Sequence, residues 1–350
     1  MSVTLTKRNK NIGIQLLRAI LSLWVIIDHC AGIEKSKRRY LSRGFHVPTF
    51  FLIAFYFYSP LLFSKSIQKI IERFKRLLIP YILWPLLIFL INKLLIKYIY
   101  LGEFHHFLSL KDIYFQLIIG SHYHRIFWFL FILIFLSLVF AIIAFCTKKN
   151  LFLKIIQFIS IISLYLHYSG LNYKFFKSFR FSLSIKTLGS IIDIIPISVI
   201  GIVYNSMNIL QIIKKTGLYF KFILIFFLYL LFQHNIFVNQ NGFRFPNVFL
   251  NIFSSTILLL LSSSININNP AIIVSLLNKS TKFTGGIYYT HMVVFNIIFK
   301  NRFDFLKGTF IIAFIIYLIC YSICFFGQII FNRYRIKYVL SLWLINSITA

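Results

Sequence analysis

Long apolar runs alternate with short basic ones along the whole chain. Ten of the apolar runs are long enough to cross a bilayer, near 12–30, 47–64, 77–97, 126–146, 151–169, 187–205, 217–233, 246–264, 284–299 and 309–331. The hydrocarbon core of a membrane takes about 20 apolar residues of helix. A helix also pairs its own N–H and C=O groups, which lipid cannot do for it. The pattern therefore predicts an all-α fold, a polytopic integral membrane bundle of about ten transmembrane helices. It is read as one domain, 1–350, without a soluble domain, a linker or a repeat. An even number of spans places both termini on one side.

Composition agrees with this and narrows the partners. Of 350 residues, 59% are hydrophobic and 13% charged, with a mean hydropathy of +0.84. The 37 Lys and Arg against 7 Asp and Glu give a net charge of +30. These cations sit mainly between apolar runs, where lipid headgroups meet them. No long basic face stands clear of the membrane, so nucleic acid is not an expected partner. Loop charges divide almost equally between the two sides, and a weak preference for a cytoplasmic N-terminus rests on the dense cluster Lys69 to Arg76. The first thirty residues mimic a secretory signal, but Arg18 interrupts the apolar stretch and no small-x-small site follows. An uncleaved first span is expected.

The four cysteines form no Cys-x-x-Cys pair and read as small core residues. His105, His106, His122 and His124 share one long loop without a recurrent ligand spacing, so no metal site is expected.

Polar residues inside apolar runs are costly and carry the chemical interest. The first span holds Arg18 and, eleven residues on, His29. Eleven helical steps return to within about 20° of the starting face and rise about 16 Å. Asp28 lies about 100° round from His29 and is expected to pair elsewhere. The loop 31–46 reads as a solvated charged loop or as a rim for an anionic substrate. Val47-Pro48-Thr49-Phe50-Phe51 opens the second span, with proline where a helix start tolerates it. The 65–76 loop carries Arg73 and Arg76, either a membrane anchor or donors for phosphate. Trp128 suits an interfacial aromatic. Asp193, inside the sixth span, reads as the structural partner of a Lys or Arg. Gly286-Ile287-Tyr288-Tyr289-Thr290-His291 adds a third polar group to the spans.

In this order the motifs resemble acyltransferase family 3, polytopic enzymes that O-acylate surface glycans, lipids and other acceptors. The resemblance rests on Arg18 and His29, Val47-Pro48-Thr49-Phe50-Phe51, Arg73-Phe74-Lys75-Arg76 with Pro80-Tyr81, Phe127-Trp128-Phe129-Leu130, and Tyr288 to His291. Where the family often has Ser-Gly after the paired Phe, this chain has Ala54-Phe55. The resemblance implies a ten-span bundle in the plasma (inner) membrane with cytoplasmic termini. It implies acyl transfer, commonly from acetyl-CoA as co-substrate and with no bound cofactor. The acceptor would be a hydroxyl of a lipopolysaccharide or other surface polysaccharide or glycolipid. His29 is then expected as general base and Arg18 as the cation facing donor phosphate or orienting the cavity. Arg73 and Arg76 would hold the donor, while Tyr288, His291, Trp128 and Asp28 would line the cavity. The rival reading is a transporter or flippase of a glycan intermediate, its polar residues lining a path.

Overall fold

A computed structural model describes residues 12–30, 46–95, 127–169, 182–214, 248–265 and 310–333, with isolated helical positions between them. The described residues are helical, without a strand. Their principal helices are α1 (Ile12–Cys30), α2 (His46–Ser64), α3 (Ile67–Leu95), α4 (Phe127–Cys146), α5 (Lys149–Tyr168), α6 (Ser182–Ser206), the short α7 (Ile209–Lys214), α8 (Val248–Ser264) and α9 (Phe310–Arg333). Among these residues, five helices hold a stretch long and apolar enough to cross a membrane: His46–Ser64, Phe127–Cys146, Lys149–Tyr168, Gly189–Ser206 and Ile311–Ile329. Ile12–Ile27 and Val248–Ser263 are shorter apolar stretches. The seventh and ninth predicted spans are described only at positions within 217–230 and 286–294.

α2 is the enclosed helix. Phe51, Leu52, Phe55, Tyr58 and Ser59 are completely buried along an arc of about 120°, and buried Thr49 and Ile53 widen that arc, while Phe57 on the remaining side is 41% exposed. A buried face this wide needs several neighbours to cover it, and α2 packs against α1, α3, α4, α6 and α8. By contrast, α5 and α9 turn large apolar side chains outward, among them Phe158, Ile161, Ile311 and Phe314. Such faces are unfavourable in water but suit lipid.

Serine and threonine hydroxyls tie the interior together. Thr49 Oγ1 of α2 donates to Ser255 Oγ of α8 at 3.0 Å, and Ser59 Oγ donates to Ile202 O of α6 at 3.3 Å. The α5–α6 seam repairs a backbone defect. Pro196 has no N–H, so the carbonyl four residues earlier lacks its helical donor. That carbonyl, Ile192 O, accepts from Ser163 Oγ of α5 at 3.1 Å. Next to it, His167 Nδ1 lies 2.6 Å from Asp193 Oδ1, the two side chains being 7% and 29% exposed. The partner of Asp193 is thus a histidine on the preceding long helix, not the Lys or Arg expected from sequence.

The junction of α2 and α3 also differs from expectation. The stretch 65–76 is helix from Ile67 onward, leaving only Lys65 and Ser66 as the turn. No glycine or proline interrupts 67–79, and the buried positions Ile70, Leu77 and Tyr81 recur at helical spacing. Lys65 adopts φ 49°, the left-handed residue that ends many helices. Its Nζ donates to Phe145 O at 3.3 Å and Thr147 O at 2.8 Å, closing the end of α4.

α6 approaches α2 so closely that Gly201 has no room for a side chain. A Cβ there would stand 2.5 Å from Leu52 O and 3.0 Å from Tyr56 N, whereas one at Gly189 of the same helix would meet nothing within 4 Å. Gly201→Ala should therefore destabilise the protein by about 1–3 kcal/mol. Gly189→Ala should be neutral or stabilise by up to about 1 kcal/mol. Thermal unfolding of the purified protein in detergent checks this, and equal melting temperatures for the two variants would contradict it.

Candidate active site

α1 carries the first group. Ile14, Leu21, Ser22 and Val25 are buried, whereas Ile20 is exposed. Arg18 is four residues after Ile14 and four before Ser22, so it belongs to the buried stripe. Its own side chain is partly buried. His29, four residues after Val25, takes the next register position of the same stripe. Asp28 and His29 lie within α1, but their side chains fall outside the described residues. Tyr288 and the loop histidines His105, His106, His122 and His124 lie outside them altogether, as does the charged stretch 31–45.

His291 is 1% exposed, and its Nδ1 lies 3.3 Å from Ile287 O. A carbonyl can only accept, so Nδ1 is the donor in this contact. Ile287, His291 and Val294 fall within about 60° of one another on a helix. Ile287 and Val294 pack in one apolar cluster with Ile26 of α1 and with Ile312, Ile316 and Cys320 of α9. The turn bearing His291 therefore shares an apolar cluster with Ile26, three residues before His29 in α1. Cys320 and Cys324 are buried core residues, as their sequence setting suggests, but Cys146 is exposed at the end of α4.

The second group gathers around α2. Phe51 and Phe50 meet Phe129 with ring centroids 4.6 and 6.2 Å apart. The second and fourth motifs are thus in direct contact, and Trp128 packs, partly buried, against the same cluster. Tyr81 of the third motif lies 6.3 Å from Phe131 and donates its hydroxyl to Leu117 O at 3.1 Å.

The two arginines of the third motif point differently. Arg73 lies about 40° from buried Leu77 round α3, and Arg76 about 100° from it. Accordingly the Arg73 guanidinium sits over the Tyr58 ring, 4.3 Å from its centroid, with Nη2 3.5 Å from Ala54 O. Tyr58 is in turn held by donation of its hydroxyl to Ser137 O at 3.2 Å. Arg76 is 51% exposed, 4.0 Å from Glu72. Sequence reasoning treated the two as equivalent and passed over Tyr58. The clue available was Tyr58 itself, a phenol in an apolar run that needs a hydrogen-bond partner when buried.

The domain model of acyltransferase family 3, an acyltransferase domain, matches residues 11–341, from the start of α1 to beyond α9. The chain belongs to acyltransferase family 3. No curated protein and no solved structure matches it. Family membership makes this a membrane acyltransferase, and acyl transfer replaces the transporter reading. Each motif of the family that the structure describes lies in one of the two groups, and α1 contributes to both. Its Ile14, Leu17 and Leu21 pack in the large cluster with Tyr58, Leu77 and Tyr81, while Ile26 packs with the turn of His291.

The Tyr58–Arg73 contact yields a graded expectation. Tyr58→Phe keeps the ring and loses one hydrogen bond, costing about 1 kcal/mol. Tyr58→Leu also removes the cation–π contact, costing about 1–2 kcal/mol more. Thermal unfolding in detergent separates these, and indistinguishable costs would show that the ring does not hold Arg73.

Proposed function

We propose that this membrane acyltransferase moves an acyl group, acetyl from acetyl-CoA, to a hydroxyl of a surface polysaccharide or glycolipid. The reading takes the chain as one domain of about ten spans in the plasma membrane, with both termini cytoplasmic. The observation that supports it best is the double membership of α1. Its first half shares the large apolar cluster that also holds Leu77 and Tyr81 of α3, and Ile26 in its second half shares the smaller cluster with Ile287 and Val294.

In this reading His29 is the general base. It takes the proton of the acceptor hydroxyl as that oxygen attacks the thioester carbonyl. The tetrahedral intermediate collapses, the carbon–sulfur bond breaks, and the coenzyme A thiolate leaves and recovers a proton. Histidine suits the task because its ordinary pKa lies near neutral pH. His291, Tyr288, Trp128 and Asp28 line the cavity. Arg18 stands about 16 Å from His29 along the helix, too far to act on the same atom. It faces the phosphate-bearing part of a donor that extends between them.

The arginines of α3 divide their labour. Arg76, exposed at the mouth, meets the donor phosphates. Arg73, seated on Tyr58, contributes its charge from inside and holds α3 against α2.

His29→Ala should lower acyl transfer by about 10²–10⁴-fold, the usual contribution of a general base. The test is a deletion strain complemented with wild type or variant, with membrane abundance matched and surface glycans weighed by mass spectrometry. Full restoration of the acyl mass by His29→Ala would overturn the assignment. Arg76→Gln should raise KM for acetyl-CoA with little change in thermal stability, whereas Arg73→Gln should lower both donor use and stability. An unchanged KM in both variants would remove α3 from donor binding.

A further inference from the structure

At the α4–α5 turn the protein has an open cavity of about 500 Å³ lined by Lys148, Lys149, Asn150, Leu151 and Lys154. Three of its five lining residues are lysines, and none is a carboxylate. Among the described residues, the nearest acidic residue before it in the chain, Glu72, lies beside Arg76, and the nearest after it, Asp193, is bonded to His167. The cavity stands at the end of the bundle where α2 finishes and α3 begins. There Lys149 Nζ lies 4.6 Å from the centroid of the Phe63 ring, and Lys65 is occupied in closing the end of α4.

Below the lysines α5 presents a bare apolar track. Leu151, Phe158, Ile162 and Tyr165 are all exposed and fall within about 60° of one another round the helix. The track runs about 21 Å from Leu151 to Tyr165, more than the ~15 Å depth of one leaflet's hydrocarbon. A cluster of cations above a lipid-length apolar face is complementary to a molecule that is anionic at one end and aliphatic along the rest.

We propose that this cavity and track form a binding site for an anionic phospholipid. The headgroup phosphate sits among Lys148, Lys149 and Lys154, and the acyl chains lie along α5. Basic pockets at the membrane boundary hold anionic headgroups in this way. The site is separate from the proposed catalytic residues and does not depend on the acyl-transfer reading. It lies at the same end of the bundle as Arg76, so the phosphates of coenzyme A are the competing source of anion.

The experiment is native mass spectrometry of the purified full chain with phosphatidylglycerol or phosphatidylcholine of identical acyl chains. Wild type should retain phosphatidylglycerol preferentially, and Lys148→Gln, Lys149→Gln and Lys154→Gln should together abolish the preference, about fivefold per lysine removed. The folded state of the triple variant is checked by its thermal unfolding. Phe158→Ser with Ile162→Ser should weaken retention of both lipids, and glycerophosphoglycerol, which has no chains, should not compete. The proposal is overturned if wild type does not distinguish the two lipids or if the triple variant keeps the preference. It is also overturned if coenzyme A displaces the lipid and the lysine variant loses coenzyme A binding, which would assign the cavity to the donor.

Discussion

A helix buried over most of its circumference must find contacts on several sides at once, and α2 is that helix here. Phe51 and Phe55 are completely covered, so the neighbours on that side must come close enough to fill the space between large side chains. Gly201 lets α6 ride against the Leu52 carbonyl, and Thr49 and Ser59 spend their hydroxyls on α8 and α6. One end of α2 stacks against the Phe127-Trp128-Phe129 stretch, and the other half seats Arg73 on Tyr58. A buried cation is costly unless something electron-rich faces it. The tyrosine ring supplies that, and its own hydroxyl is satisfied by Ser137 O.

α1 then carries the argument from packing to function. It joins the α2-centred cluster through Ile14, Leu17 and Leu21, and the His291 cluster through Ile26. The stripe that buries those residues also sets the register of Arg18 and His29. One helix thereby belongs both to the cluster that holds Leu77 and Tyr81 of α3 and to the cluster that holds Ile287 and Val294. Family membership supplies the chemistry that such an arrangement serves, acyl transfer in the membrane. The proposed reaction uses α1 as the ruler between donor phosphate and acyl carbonyl.

Hydropathy made the long helices legible, because apolar runs of span length have few soluble alternatives. Motif order made the family legible as well. The arginine pair was harder. Two arginines three residues apart read as one phosphate site until helical register separates them, one toward Tyr58 and one toward solvent. Reading 65–76 as a loop hid that register. Asp193 needed a partner, but that partner, His167, stands on another helix and carries no local signal. The repair of Pro196 by Ser163 is likewise a contact between helices. In each case the sequence showed a group with an unmet need, and only the packing of helices said what met it.

The central claim is that α1 and the turn of His291 serve one reaction site. The direct test is a double-mutant cycle on residual acyl transfer, with His29→Ala, His291→Ala and the two combined at matched membrane abundance. Residues that act as a unit lose function together, so the double variant should transfer no more slowly, within about twofold, than the slower single variant. Losses that multiply, or a His291→Ala variant as active as wild type, would contradict the account.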